Sequence, residues 1–307
     1  MKGLSPGVRV RRQASANLTA SDSPAIIVRM RVKSLAIPVL AVLLASCGSK
    51  SAPAASKSTG TTAGAATTTT AVTTTTISTT TTTAPAGVAP SIATASYTRS
   101  GGNPGYSVTI SYPVLGGMAS NTSQARINSQ IIASVASWAN AFVQNVSSIS
   151  SSSVQGNSTL TGAFKSILVN SKVASFQFVL NSDVASAAQP SVNIYSLNFN
   201  LATGATYALS DLFKAGSNYL SALSQASISQ LTAHLAAQHV PAAELQSDPG
   251  LSPAPANFAA FNIDSGSLMI GFSQGQVIGT AIGALTVTIP DQALAQVIAP
   301  NGPLGAA

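Results

Sequence analysis

The stretch "GFSQG", from Gly271 to Gly275, spells G-x-S-x-G, the turn that presents a nucleophilic serine in one large class of hydrolases. Catalysis there requires Ser273 to give its proton to a histidine that a carboxylate holds in place. The chain has two histidines, His234 and His239, and both precede Ser273; Asp291 is the sole acid after it. An elbow serine also leads from a strand into a helix, whereas "QVIGTAIGALTVTIP" after the motif is rich in glycine and β-branched residues and ends in proline. The expected reading is a strand-ending turn whose glycines relax the backbone. No catalytic residue is assigned. Ser273 with His234 is the one pair that would support the alternative, a cell-envelope hydrolase acting on esters or wall polymers.

Other chemistries fare no better. His234 and His239 stand five apart, which misses the i, i+4 spacing that puts two metal ligands on one helical face. No cysteine or carboxylate cluster accompanies them, so no metal is expected. Glu244 and Asp248 flank a proline-rich loop, Asp183 and Asp264 read as turn residues, and Asp211 in "LSDLF" reads as a local cap. Neither G-x-G-x-x-G after a strand nor G-x-x-x-x-G-K-[ST] occurs, and no cofactor is expected.

The elements that would position these groups begin near Ser96, where aromatics and apolar periodicity appear. "YSVTISYP" (Tyr106 to Pro113) alternates like a strand. Ile127, Ile131, Val135, Trp138, Phe142 and Val146 then fall on one face of a long helix, with Asn121 as its cap, Gln124 completing a capping box, and Trp138 as a core anchor. Strands are expected at Leu160 to Val169, Lys172 to Asn181 and Pro190 to Leu201. In the last, Tyr195, Leu197, Phe199 and Leu201 point to the core, and Val192, Ile194, Ser196, Asn198 and Asn200 point away. A turn at Gly204 leads to a second helix from Ser217 to His239, with Leu220, Leu223, Ile228, Leu231 and Leu235 inward. "FAAFNI", "SLMIGF", "QVIGTAIG" and "LTVTIP" read as strands, and "DQALAQVI" as a short terminal helix. Without regular βαβ alternation, the expected class is α+β: a mainly antiparallel sheet packed against two principal helices plus a short C-terminal helix.

The formal charge of +7 and pI of about 9.8 suggest an anionic partner, but the charge is misplaced for one. Seven of the fourteen Lys and Arg lie before residue 47, and from there on seven bases face six acids. A nucleic-acid footprint is therefore excluded. Five of the early bases precede Met30, and Arg31 and Lys33 open "MRVKSLAIPVLAVLLASC" (Met30 to Cys47), a basic region, an apolar run and small residues before a cysteine, the layout of a secretory signal. Its "LASC" resembles a lipobox, which implies cleavage before Cys47 and lipidation of that residue. Cys47 is the one cysteine in the chain, so no intramolecular disulfide can form. Residues 1–29 read as an over-extended or disordered N-terminus and 30–46 as the lipoprotein signal peptide. Residues 47–95 read as a Thr/Ala-rich disordered tether with a span of about 40 Å, 96–300 as the folded domain and 301–307 as a disordered tail.

The domain's segments carry a resemblance. "VTISYPVLGG", "YSLNFNLATGATYALSDLF" (Tyr195 to Phe213), "NFAAFNIDSGSLMIGFSQGQV" (Asn257 to Val277) and "VTIP" resemble, in order, the RsiV-like extracytoplasmic domain family. That family occurs in anti-sigma-factor ectodomains, beside a peptidoglycan deacetylase and in mycobacterial secreted antigens. The resemblance implies an α+β domain that binds without chemistry of its own, with lysozyme or a cell-wall component such as peptidoglycan as partner. Ser273, Gln274 and Gly275 depart from the family's closing-strand pattern, and no ligand-contacting residue is carried over. The expectation is thus a non-catalytic cell-surface binding or sensor lipoprotein, held by Cys47 on the extracytoplasmic face of the cell membrane.

Overall fold

The computed structural model describes residues 87–150 and 156–304. The signal segment, Cys47 and the threonine runs lie outside the described residues. Strand β1 (Ser91–Gly101) pairs antiparallel with β2 (Tyr106–Gly116), and helix α1 (Asn121–Ser147) then carries the chain over one face of the sheet. Because a long helix intervenes, β3 (Ser158–Val169) returns parallel to β2, and β4 (Val173–Asp183) and β5 (Ser191–Asn200) follow as antiparallel neighbours. The order is β1-β2-β3-β4-β5, which leaves β1 and β5 at the edges. β1 starts inside the segment read as tether. Its alternation is masked by serine and threonine on the outer face, while Ala95 is buried in the core.

α1 buries Ile127, Ile131, Val135, Phe142 and Val146 as its spacing requires, but Ala139 occupies the centre of the stripe and Trp138 sits half-buried at its flank. Its cap is Ser120, whose hydroxyl accepts from the Ser123 N–H at 3.1 Å, and not Asn121. Gln124 does not close a box on the cap residue; its Oε1 accepts from the Met118 N–H at 3.0 Å.

The chain turns after β5 at Gly204, as expected, and Asp211 caps the 3-10 turn Leu209–Leu212 by accepting from the Ala208 N–H at 2.8 Å. Helix α2 (Tyr219–Leu235) ends earlier than its apolar pattern suggested, passing into a 3-10 turn and then His239 with φ 58. Leu223, Leu231 and Leu235 are buried and Leu220 and Ile228 partly so. A short helix α3 (Ala242–Ser247) precedes a second sheet, β6 (Phe261–Asp264), β7 (Ser267–Phe272) and β8 (Leu285–Pro290), antiparallel throughout.

Four expectations are corrected here. "QVIGTAIG" is no strand: Ile278, Gly279 and Gly283 all take positive φ, which no ladder accommodates. The first part of "FAAFNI" joins a 3-10 turn (Pro255–Phe258), and "DQALAQVI" forms a single 3-10 turn (Asp291–Leu294) instead of a helix. The tail read as disordered from 301 is packed as far as Leu304, which is 2% exposed.

Two apolar cores result. One lies between α1 and the first sheet, the other between α2 and the inner face of the second sheet, where Phe261, Ile263, Leu268, Ile270, Val287 and Ile289 align. β5 is therefore packed against on both faces, with Tyr195, Ser196 and Leu197 left half-buried along its middle. Tyr195, Leu197 and Phe199 turn to the α1 core as expected, and Ile194 and Asn198, which point away from it as expected, are covered by the second sheet.

The seam between the sheets is polar, and its two buried asparagines are hydrogen-bonded across it, while the buried Gln177 Nε2 beside them has no partner. Asn198 Nδ2 donates to the Phe261 carbonyl at 2.7 Å, while its Oδ1 accepts from the Ile263 N–H at 3.1 Å and from Ser175 Oγ at 2.8 Å. Asn262, fully buried, donates to Ser175 Oγ at 3.0 Å and accepts from Ser196 Oγ at 2.7 Å. One side-chain amide thus pairs with the β6 backbone as a neighbouring strand would.

Candidate binding groove at the free edge of the first sheet

An edge strand presents unpaired N–H and C=O groups that must be covered or left to a partner. On β5 the cover comes from the G-x-S-x-G turn. The Ile194 N–H donates to Ser273 Oγ at 3.0 Å and the Val192 N–H to Gln274 Oε1 at 3.0 Å, while the Gln274 N–H donates back to the Val192 carbonyl at 2.9 Å. Both glycines serve the docking. A Cβ on Gly271 would lie 2.5 Å from Ile194 Cγ2, and Gly275 has φ +77. Gln276 locks the turn, accepting from the Ser273 N–H at 3.1 Å and donating to the Asn257 carbonyl at 2.9 Å.

Ser273 is thereby accounted for. His234 and His239 are both exposed, and the cleft that Ser273 lines contains neither histidine nor carboxylate. No group of three or more His, Cys, Asp or Glu able to hold a metal occurs among the described residues. Asp264 caps its own turn, accepting from the Ser265 N–H at 2.8 Å. Asp248 does more than flank a loop: its two oxygens accept from the N–H groups of Gly250 at 2.7 Å and Ile278 at 2.8 Å. Ser273→Ala leaves the Ile194 N–H without its acceptor, and the expected cost is about 1–2 kcal/mol. Thermal denaturation measures it.

At the other end of β5, Tyr207 donates to the Asn198 carbonyl at 2.8 Å and Asn200 donates to Ala205 at 2.8 Å. Between these covers lies Ser196. The uninterrupted β4–β5 register alternates inward and outward groups, so the Ser196 N–H and C=O point out of the sheet beside those of Ile194. An open cleft of ≈ 350 Å³ occupies this gap, bounded by Ser134 and Trp138 of α1, residues 194–197 of β5, the segment around Asn257, and Ser273 with Gln276. That volume is within the range of small-ligand sites, about 300–1,000 Å³.

Trp138 lies nearly flat on Tyr195, ring centroids 4.6 Å apart at 22°, and meets Phe178 edge-on at 5.0 Å. Trp138 and Tyr195 also line a second cleft of ≈ 200 Å³, with Phe142, Leu160 and Leu180 beneath and Asn145, Asn193, Ser182 and Ser191 around it. The two clefts meet at this aromatic pair and follow α1 from Ser134 to Asn145, a distance of about 16 Å at 1.5 Å per residue. Trp138 thus serves the core, as the sequence suggested, and the groove as well. Neither cleft is lined by a charged side chain. Burial raises the Tyr195 phenol above its ordinary value. Its neutral form is the one the fold favours, so stability linked to it is lost only as pH rises past about 10, and the groove is uncharged at neutral pH.

Sequence reasoning missed Tyr195, Asn193 and Asn145 as groove residues. The alternation of β5 marks Tyr195 as inward, but nothing local pairs it with Trp138. The architecture is that of an α+β domain of two antiparallel-rich sheets. The family model described as "Protein of unknown function (DUF3298)" matches residues 210–292, the stretch from the Asp211 cap through the second sheet. Similarity of fold extends further. A crystal structure of a DUF3298 family member from Bacteroides fragilis matches with a TM-score of 0.55 and 15% identity, over 72% of this chain and 98% of that one. Another DUF3298 family protein, from Pseudomonas aeruginosa, matches with a TM-score of 0.47 and 11% identity, over 69% and 96%. No curated protein matches. Among the described residues no helix is long and apolar enough to cross a membrane.

Proposed function

We propose that this chain is a non-catalytic, lipid-anchored binding protein of the cell envelope, displaying an RsiV-like domain on a threonine-rich spacer. The observation that carries the reading is the groove: an uncharged, aromatic-centred depression beside an uncovered step of an edge strand, with the one candidate nucleophile engaged as a backbone acceptor. Concave sites with an apolar body and a few convergent polar groups are where ligands bind. The signal layout before Cys47 supports the anchor, and the threonine runs support a spacer that holds the domain off the surface. The partner that the RsiV-like pattern suggests is lysozyme, with peptidoglycan as the wall component to set beside it.

Calorimetric titration of the full chain tests this reading, with lysozyme in one series and solubilised peptidoglycan in another. A 1:1 isotherm with one of them at micromolar affinity, about −8 kcal/mol, is the expected result. Flat traces in both series overturn it.

A further inference from the structure

We propose that the groove takes a neutral oligosaccharide, with a sugar ring seated against Trp138 and its neighbours extending into the two clefts. The inference rests on the reading of this groove as the binding site and names the ligand class it fits. Three features argue for it. First, neither cleft is lined by a charged residue, so the field offers nothing to an anion or cation and no charge needs to be desolvated when the site fills. Second, the groove is centred on the Trp138–Tyr195 pair. An aromatic face carries negative charge density, which suits the weakly positive axial C–H face of a pyranose.

Third, amide groups at the rim have spare hydrogen-bonding capacity. Asn145 and Asn193 make no side-chain hydrogen bond to other described residues, and each offers two donors and an acceptor. At the other end, Asn257 spends its Nδ2 on Pro249 and Ser252, leaving Oδ1 as an acceptor in the first cleft. Hydroxyls and acetamido groups, which both donate and accept, match that mixture. A peptide added to the edge of β5 fits less well, because Ser273 and Gln274 on one side and Tyr207 on the other leave a gap only about one residue wide.

Trp138 is the one tryptophan in the chain, so its emission reports on the groove without labelling. Titrating the full chain with tri-N-acetylchitotriose is expected to change that emission saturably. The dissociation constant should be below about 1 mM and indifferent to salt, since no ion pair forms. Asn193→Ala and Asn145→Ala, which leave all protein contacts in place, should each weaken binding about fivefold with unchanged melting temperature. Trp138→Phe should weaken it too, read by calorimetry. An emission that does not respond overturns the proposal, as does a response that both alanine variants leave intact. If the saccharide fails while lysozyme or peptidoglycan still gives its isotherm, the binding function stands and the ligand class falls. If all three are silent, both fall.

Discussion

Asn198→Leu is expected to destabilise the domain by about 4 kcal/mol, because it strands two backbone groups and a hydroxyl in a buried seam. The leucine is close in size, so no large cavity contributes. The loss comes from the Phe261 carbonyl, the Ile263 N–H and Ser175 Oγ, each of which loses a partner at 2.7–3.1 Å. Each orphaned buried group costs about 1–3 kcal/mol. For a domain of this size the melting temperature should fall by about 8–16 °C. Asn193→Ala, on the same strand but at the groove rim, should shift it by less than about 2 °C. Differential scanning calorimetry of the two variants separates the seam from the rim. Equal melting temperatures would mean that the side-chain amide is not what joins the sheets.

Gly250→Ala should cost nearly as much, about 3 kcal/mol, and should also weaken ligand binding. The added methyl would overlap the Gln276 carbonyl oxygen, a backbone atom that cannot rotate away. Gln276 is bonded to Ser273 and to Asn257, so displacing it shifts the turn that covers β5 and the wall of the first cleft. A control isolates the steric part. Gly266, with φ +71 and nothing within 4 Å of an added methyl, should lose only about 1 kcal/mol on change to alanine, the cost of the left-handed backbone alone. Urea titration measures both. A Gly250→Ala protein no less stable than Gly266→Ala would show that the turn yields freely.

What the sequence disclosed follows from how locally each feature is determined. α1 was legible because its stripe of Ile127, Ile131, Val135, Phe142 and Val146 is a property of one segment, and β7 and β8 because alternation is equally local. Asp211 was legible as a cap for the same reason: its acceptor role spans three residues. The buried second face of β5 was not legible. Ile194, Ser196 and Asn198 read as the row facing away from the core, and only the docking of the second sheet, more than sixty residues on, buries Ile194 and Asn198 and half-covers Ser196. A buried Asn bonded through both its amide nitrogen and its amide oxygen looks, in sequence, like an exposed one.

The groove was hidden by the same non-locality. Trp138 and Tyr195 come from a helix and an edge strand joined through two other strands, and their stacking is a tertiary fact. The G-x-S-x-G turn was read correctly as a strand end, on the ground that no helix follows. Its specific task, supplying Ser273 Oγ and Gln274 Oε1 to β5, lies some eighty residues away along the chain. "QVIGTAIG" misled because its β-branched content outweighed three positions that take positive φ, and the glycines at 279 and 283 were the available signal.

Treating the full chain with a fluorophosphonate, which phosphonylates an activated serine with loss of fluoride, then weighing the intact protein, most directly separates a binder from a hydrolase. An activated nucleophile needs a base to take its proton, and the cleft that Ser273 lines holds none. The expected result is that neither wild type nor Ser273→Ala gains mass on treatment. A stoichiometric adduct that Ser273→Ala abolishes would contradict the account, because Ser273 would then be a nucleophile and the groove an active site.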